Sequence, residues 1–267
     1  MHSKNDLKAT LIQSNLVWEN IEANLKNFDL KIANIDNSPD LIVLPEMFAT
    51  GFTMNVDKCA ENEDGKVVSW LMEKAKQKNC VITGSVLIED EGKYFNRMFW
   101  MKPDSSYETY NKRHLFRMGN EHKTMSAGKE RKIVELNGWK INLQICYDLR
   151  FPVWSKNNFR DGKYGYDALL YIANWPEIRS HAYKSLLKAR AIENQSYVIW
   201  VNRVGKDGKD IFHSGDTMIV DPYGEIIVQA KAGKEQPLTG FLSKQKLEDF
   251  RKKFTVGMDW DGFDVQV

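Results

Sequence analysis

The chain has 267 residues, of which 42% are hydrophobic, and a formal net charge of +2 from 38 basic and 36 acidic residues. This length and composition predict one domain, residues 1–267, with a substantial hydrophobic core. The charges are interspersed along the chain, so it lacks the long basic tract of a protein that binds nucleic acid or an anionic membrane, and we expect neither partner.

The first half of the chain alternates apolar strands with amphipathic helices, whose apolar residues recur at spacings of three and four. The predicted strands are residues 7–13, 40–45, 80–88, 96–102 and 107–112, and the predicted helices are residues 19–35 and 66–78. Pro45 ends the second of these strands.

The second half continues the alternation, and Asn137-Gly138 is a strong signal for a β-hairpin. The predicted strands are residues 131–136, 140–145, 167–173, 197–204, 214–220 and 225–230, and the predicted helices are residues 180–195 and 243–254. An aromatic tail through Trp260 and Phe263 is expected to pack against the domain. This pattern predicts an α/β domain whose sheets are covered by helices, with a helical face left for a second copy in a homodimer.

Cysteine and histidine usage bears on compartment and cofactors. Cys59, Cys80 and Cys146 are odd in number and widely spaced, which favours a reducing compartment over a disulfide framework. The first residues carry no apolar signal-peptide core and no apolar run approaches a membrane span, so we expect a cytosolic protein without membrane contact. The histidines show no metal-ligand spacing and no phosphate-binding glycine loop is present, so we expect neither a metal nor a cofactor.

Cys146 is the most informative residue of the chain. The apolar run 141–145 ends at this cysteine, and the turn-prone Asp148 and then Pro152 follow. This layout predicts a thiol at the end of a buried strand, where the next backbone N–H groups can point toward the group that the sulfur attacks. A cysteine on an apolar strand is also commonly a small core residue, so both interpretations stay open at this position.

Three ionisable residues also lie near predicted strand ends. Glu46 follows strand 40–45, Lys112 ends strand 107–112, and Glu121 lies in a polar loop. The ends of strands at one edge of a sheet can converge, and sites in α/β proteins gather there. Each residue has a simpler alternative as a solvent-exposed side chain of a helix N-terminus, a strand end or a surface loop.

Three segments of the chain together resemble a known family. LPEMF at 44–48, NKRHLF at 111–116 and ICYDLRFP at 145–152 resemble, in this order, the catalytic motifs of the nitrilase, or carbon–nitrogen hydrolase, superfamily. The resemblance runs from the first strand to DPYGE at 221–225. It implies a four-layer α-β-β-α sandwich in one domain and hydrolysis of a carbon–nitrogen bond.

The resemblance also implies roles for individual residues. Cys146 would form a thioester with the substrate, and Glu46 would be the general base. Lys112 and the backbone N–H of Tyr147 would bind the tetrahedral oxyanion. Glu121 corresponds to a second glutamate that many members of the family place near the site, where it would orient Lys112 or position the substrate amide.

Further motifs narrow the substrate. Tyr147 stands where true nitrilases usually carry tryptophan, which disfavours nitrile hydrolysis. HLFRMGNE at 114–121 and ANWP at 173–176 resemble the bacterial omega-amidases. Those enzymes release ammonia from the terminal amide of 2-oxoglutaramate and related 2-oxo acid amides such as 2-oxosuccinamate. The resemblance therefore implies a small-molecule amide as the partner.

The carboxylate of such a substrate requires cationic groups. The candidates near the motifs are Arg117, Arg150 and Arg179. The residues expected to wall the pocket are Phe48, Phe116, Asn174 and Trp175. Arg150 has an equally good structural interpretation as a partner for Asp148.

Three other functions stay open at this point. One is a related amidase of the same branch, such as a deaminated-glutathione amidase. Another is a non-catalytic interaction protein that keeps the fold, although Glu46, Lys112 and Cys146 together argue against it. The third is a Cys–His protease in which His114 serves as the base.

Overall fold

The computed structural model describes residues 5–35 and 38–266, and within them sixteen strands alternate with seven helices. The strands are β1 (Leu7–Gln13), β2 (Leu41–Val43), β3 (Val81–Asp90), β4 (Lys93–Met101), β5 (Tyr107–Asn111), β6 (Lys132–Leu136), β7 (Trp139–Ile145), β8 (Phe159–Arg160), β9 (Lys163–Tyr164), β10 (Ala168–Ala173), β11 (Tyr197–Asn202), β12 (Val204–Lys206), β13 (Phe212–Ser214), β14 (Met218–Val220), β15 (Ile226–Gln229) and β16 (Gln236–Leu242). The helices are α1 (Ile21–Ala33), α2 (Val56–Cys59), α3 (Lys66–Lys78), α4 (Glu121–Thr124), α5 (Pro152–Ser155), α6 (Ser180–Glu193) and α7 (Lys244–Lys253).

Two six-stranded sheets carry the fold, with strand orders β16-β1-β2-β3-β4-β5 and β15-β14-β11-β10-β7-β6. Neighbouring strands are parallel in part of each sheet: β1, β2 and β3 in the first, and β7, β10 and β11 in the second. Parallel strands place their carboxyl ends at one edge of a sheet, which is where α/β proteins commonly form their sites.

The alternation of side chains along β2 explains the layers. Leu41 and Val43 join a core that includes residues of both sheets, whereas Ile42 belongs to a second core shared with α1 and α3. On the far side, α6 contributes Tyr183 and Leu187. The predicted four-layer α-β-β-α sandwich is confirmed.

Local signals set the helices of the first half. Asn20 caps α1, because its side-chain oxygen accepts a hydrogen bond from the Ala23 N–H at 3.0 Å. The helix α3 ends at Asn79, which adopts the left-handed conformation with φ 48°. The strand β1 and the helix α3 have the bounds that the sequence predicts.

The sequence prediction misses β16, which pairs antiparallel with β1 along its whole length. Pro237 and Gly240 lie within this strand, and both residue types are unfavourable in strand interiors. The proline is tolerated because β16 is at the edge of its sheet.

Several predicted strands are shorter in the structure: strand 40–45 is reduced to β2 and strand 225–230 to β15, and two others change more clearly. Strand 197–204 is interrupted at Arg203 between β11 and β12. Strand 214–220 starts only at Met218, because Gly215 and Asp216 have φ values of 81° and 56°, outside the extended conformation.

The aromatic tail packs against the domain through Trp260, whose ring centroid lies 5.6 Å from that of Tyr164. The Lys156 ammonium lies 3.8 Å from the centroid of the same indole.

In the part of the chain that the structure describes, no helix has the length and apolar character needed to cross a membrane.

Candidate active site

The candidate site lies where strands of both sheets end. Glu46 comes shortly after β2, Lys112 directly after β5, Cys146 directly after β7 and Asn174 directly after β10. Glu121 is the first residue of α4. Stacking of the two sheets brings these segments together, although they are far apart in the sequence.

The Lys112 ammonium is the centre of the cluster. Its Nζ lies 2.8 Å from Glu46 Oε1 and 3.0 and 2.9 Å from the two carboxylate oxygens of Glu121. All three side chains are 0% exposed. The solvent-exposed alternatives for these residues are therefore wrong.

The charges in this cluster act on one another in a dry environment. Burial acts to lower the pKa of Lys112, but Glu121 and Glu46 outweigh it, so the pKa of the ammonium is raised. Burial raises the pKa of Glu121, Lys112 opposes this effect, and the Glu46 charge adds to it. Lys112 is therefore a permanent cation held between two acidic groups.

Glu46 is oriented by several hydrogen bonds. Asn96 Nδ2 donates to its Oε1 at 2.8 Å, and the backbone N–H of Asn174 donates to its Oε2 at 2.7 Å. The side-chain amide of Asn174 also donates to the backbone carbonyl of Glu46. Sequence reasoning missed Asn96, because a buried polar residue within a strand carries no local signal of its partner.

Glu121 is oriented from its own loop. The backbone N–H of Phe116 donates to Glu121 Oε2 at 2.6 Å, and Asn96 Nδ2 lies 3.3 Å from Oε1. Asn96 therefore bridges the two carboxylates. Fixed acceptors on two sides leave the Lys112 ammonium little freedom to move.

Cys146 directly follows β7 and is the first residue of the 3-10 turn Cys146–Arg150. Its φ of 47° lies in the left-handed region, which costs a non-glycine residue about 1–3 kcal/mol. Tyr147 follows within the 3-10 turn, so its N–H belongs to the first N–H groups, which have no acceptor inside the turn.

The Cys146 thiol is protonated at neutral pH. Burial raises its pKa well above the ordinary value, the Glu46 charge and a hydrogen bond to Glu46 raise it further, and Lys112 opposes them. The sulfur thus has both a carboxylate acceptor for its proton and a cation beside it.

A cavity of about 220 Å³ opens onto Cys146. The residues that line it are Trp18, Phe52, Phe116, Met118, Gly119, Cys146, Tyr147, Arg150, Asn174, Trp175, Pro176, Arg179, Asp207, Lys209, Ile211 and His213. This set includes five of the predicted substrate-binding residues: Phe116, Arg150, Asn174, Trp175 and Arg179.

Two predicted substrate-binding residues do not line this cavity. Phe48 is 0% exposed and packs against Phe28 and Trp70, with ring centroids 5.4 and 5.7 Å away, in the core between the first sheet and its helices. Its predicted place in the pocket is corrected, because the backbone after Glu46 directs this ring to the outer face of the sheet. Arg117 is exposed in the 3-10 turn Arg117–Gly119.

His114 is not placed as the base of a Cys–His pair. Its Nδ1 lies 2.8 Å from Asp148 Oδ1, and its ring stacks on Phe151 with the centroids 3.6 Å apart. Asp148 also accepts from the Tyr110 hydroxyl at 2.7 Å. In the described residues no group of three or more His, Cys, Asp or Glu side chains could hold a metal ion.

Arg150 and Arg179 lie over aromatic rings of the cavity wall. The guanidinium carbon of Arg150 is 5.0 Å from the centroid of Trp175, and that of Arg179 is 5.3 Å from Phe116. Asp148, the sequence-based partner for Arg150, bonds instead to His114 and Tyr110.

Sequence reasoning also missed part of the cavity wall. Trp18 follows β1, Phe52 follows the Glu46 segment, and Asp207, Lys209 and Ile211 belong to the turn between β12 and β13. No catalytic motif covers these positions, and only the packing of distant segments makes them neighbours.

The fold and the site together define a hydrolase with a cysteine, a glutamate and a lysine at the ends of stacked strands. Residues 8–252 match the family model of carbon-nitrogen hydrolases. The chain belongs to the carbon-nitrogen hydrolase family, whose members act on carbon–nitrogen bonds such as those of amides.

Particular relatives are similar over nearly the whole chain. Omega-amidase YafV of Yersinia enterocolitica is 45% identical over 257 residues, which cover 96% of this chain and 98% of that protein. The 2-oxoglutaramate amidase of Bacillus subtilis is 34% identical over 228 residues, 84% of this chain and 86% of that protein. The crystal structure of XC1258 from Xanthomonas campestris, a CN-hydrolase superfamily protein with an arsenic adduct in its active site, matches 100% of both chains at 41% identity and a TM-score of 0.95.

Replacement of Glu46 tests the electrostatics of the cluster. Glu46→Gln removes a charge and a hydrogen bond that raise the pKa of Cys146, so we expect the thiolate to form at lower pH than in the wild type. Iodoacetamide labelling between about pH 6 and pH 10, followed by peptide mass spectrometry, measures this profile.

Cys80 is the internal control for that experiment. Burial raises its pKa to about 12, and the charges that act on it, Lys78 and Asp40, are unchanged in the variant. Its labelling profile should be the same in both proteins. An unshifted profile at Cys146 would contradict the assignment of Glu46 as the group that controls the thiol.

Proposed function

We propose that the protein is an omega-amidase that hydrolyses the terminal amide of 2-oxoglutaramate and 2-oxosuccinamate to the 2-oxo dicarboxylate and ammonia. The observation that carries the proposal is the buried Glu46–Lys112–Glu121 cluster beside Cys146, at a small cavity that also holds two arginines. Relatives named omega-amidase and 2-oxoglutaramate amidase support this choice of substrate.

Acylation begins with attack of the Cys146 sulfur on the amide carbon. Glu46 takes the thiol proton, because the pKa of the thiol is too high for the thiolate to form alone at neutral pH. Lys112 and the backbone N–H of Tyr147 stabilise the negative oxygen of the tetrahedral intermediate. Glu46 then gives its proton to the leaving nitrogen, the carbon–nitrogen bond breaks, and ammonia leaves a thioester on Cys146.

Deacylation uses the same groups in the same order. Glu46 takes a proton from a water molecule, which attacks the thioester carbon, and Lys112 again faces the oxyanion. The carbon–sulfur bond breaks, the acid product forms, and Glu46 returns the proton to the sulfur. Glu121 acts through Lys112: it keeps the ammonium charged and in place.

The cavity wall suits an anionic substrate. In the described ranges, neither Arg150 nor Arg179 has a carboxylate partner, and each guanidinium lies over an aromatic ring. Arginine binds carboxylates through paired donors and keeps its charge at any physiological pH. We assign these two arginines to the carboxylate of the 2-oxo acid amide.

Ammonia release from purified protein tests the reaction. We expect turnover of 2-oxoglutaramate and 2-oxosuccinamate, with loss of roughly a thousandfold or more in Cys146→Ser, because the serine hydroxyl is far less acidic than the thiol. With a slow amide, intact-mass spectrometry should find an acyl adduct in the wild type and none in Cys146→Ser.

Two outcomes would count against this proposal. A clear preference for deaminated glutathione, assayed side by side, would reassign the substrate. An active-site variant as active as the wild type, with no acyl adduct on either protein, would favour a non-catalytic role.

Arginine variants test recognition of the carboxylate. Arg150→Gln and Arg179→Gln should each raise KM for 2-oxoglutaramate by about tenfold, since a charge-assisted hydrogen bond is worth roughly 1.5–3 kcal/mol. Arg117→Gln is the matched control, because Arg117 is exposed outside the cavity lining. Equal effects of all three substitutions would show only a general effect of net charge.

We also propose a cytosolic location. Cys59, Cys80 and Cys146 are all free, as suits a reducing compartment. Recovery of the protein outside the cytosolic fraction of its cell would contradict this assignment.

Finally, we propose that the protein is a homodimer. The ring centroid of exposed Tyr223 lies 4.3 Å from that of Phe250 in α7, and the ring of exposed Phe254 lies 6.1 Å from Phe250. Exposed Ile192 of α6 lies beside Gly224. Exposed apolar side chains that cluster in this way are typical of an interface. Sedimentation should give a dimer for the wild type and a monomer for Phe254→Glu. Lys253→Gln is the control, because it changes the net charge by the same one unit at an exposed position next to Phe254.

A further inference from the structure

We propose that Lys209 is a third specificity-determining residue, which attracts the substrate carboxylate at the mouth of the cavity. Lys209 lies in the turn between β12 and β13 and lines the same cavity as Cys146. The inference rests on the proposed function, because it requires an anionic substrate.

Lys209 is a free charge among paired neighbours. Within residues 5–35 and 38–266 it has no ion-pair partner, whereas Lys206 of the same hairpin lies 3.5 Å from Asp210. Together with Arg150 and Arg179, it makes three cations without carboxylate partners around a single small cavity.

The one carboxylate of this turn that lines the cavity is bonded to backbone. Asp207 Oδ1 accepts hydrogen bonds from the N–H groups of Lys209 at 2.8 Å and Ile211 at 3.0 Å. The Asp207 N–H in turn donates to the carbonyl of Ile211 at 3.1 Å. These bonds fix the conformation of the turn. Asp210 pairs with Lys206, and within the described residues neither Asp207 nor Asp210 forms an ion pair with the Lys209 ammonium.

The turn is also held against the first segment after β1. A Cβ atom on Gly208 would lie 2.3 Å from the indole of Trp18, so the glycine backbone rests directly on this ring. The buried Arg203 guanidinium donates to the carbonyls of Lys206 at 2.8 Å and Leu16 at 3.3 Å. The position of Lys209 relative to the cavity is therefore set by tertiary contacts on both sides of the turn.

An exposed ammonium at this position acts on binding and leaves the chemical step unchanged. It lies in the turn, while the reacting atoms are at the buried Glu46–Lys112 cluster. An exposed ion pair contributes at most about 1 kcal/mol, which corresponds to roughly fivefold in affinity. Such an interaction is screened by salt, since the Debye length falls from about 10 Å at 0.1 M to about 3 Å at 1 M.

Steady-state kinetics of the full-length protein with 2-oxoglutaramate test this role. Lys209→Met should raise KM about threefold to fivefold and leave kcat unchanged. Lys209→Arg should restore the wild-type KM, and the difference between wild type and Lys209→Met should disappear in about 1 M NaCl. Lys206→Met is the matched control, because Lys206 lies in the same hairpin, is paired with Asp210 and does not line the cavity.

The outcomes separate this inference from the function on which it rests. A wild type that does not hydrolyse 2-oxoglutaramate overturns both. An active wild type overturns the role of Lys209 alone if Lys209→Met keeps the wild-type KM, loses kcat instead, or behaves like Lys206→Met.

Discussion

The rest of the site depends on one buried ammonium shared by two carboxylates. Removing Lys112, Glu46 and Glu121 from water is costly, and only their close, hydrogen-bonded contact offsets that cost. Loss of Lys112 would leave two buried carboxylates without their shared counter-ion. This costly cluster also places a proton acceptor, Glu46, and a fixed cation, Lys112, beside the Cys146 sulfur.

The backbone conformation at Cys146 also contributes to the arrangement of the site. The left-handed conformation of Cys146 is unfavourable in isolation. It persists because β7 is paired on both sides, with β10 and β6, and because a 3-10 turn begins at Cys146. The sandwich thus supplies rigid strand ends, and the reactive groups lie on the loops just beyond them. Rigid supports of this kind keep catalytic groups in place without reorganisation during the reaction.

The residues proposed for catalysis and those proposed for binding the substrate carboxylate lie in different environments. The catalytic candidates are buried and held by many hydrogen bonds, whereas the cations assigned to the substrate carboxylate line the open cavity. The buried charges interact strongly with their neighbours because little water screens them. The cavity cations, by contrast, are free to exchange water for the carboxylate of an incoming substrate. This division fits a small acid amide whose two ends meet different environments.

The sequence by itself determined the order of most strands and helices, because their apolar periodicity is local, and it identified Glu46, Lys112, Glu121 and Cys146 through motifs. It did not reveal β16, whose Pro237 and Gly240 are poor strand residues. Only the tertiary structure decided that Phe48 belongs to the core, that Asn96 bridges two carboxylates, and that Trp18 and Lys209 border the cavity. These features depend on which face a side chain takes and on contacts between segments far apart in the chain, and no local pattern of residues encodes either.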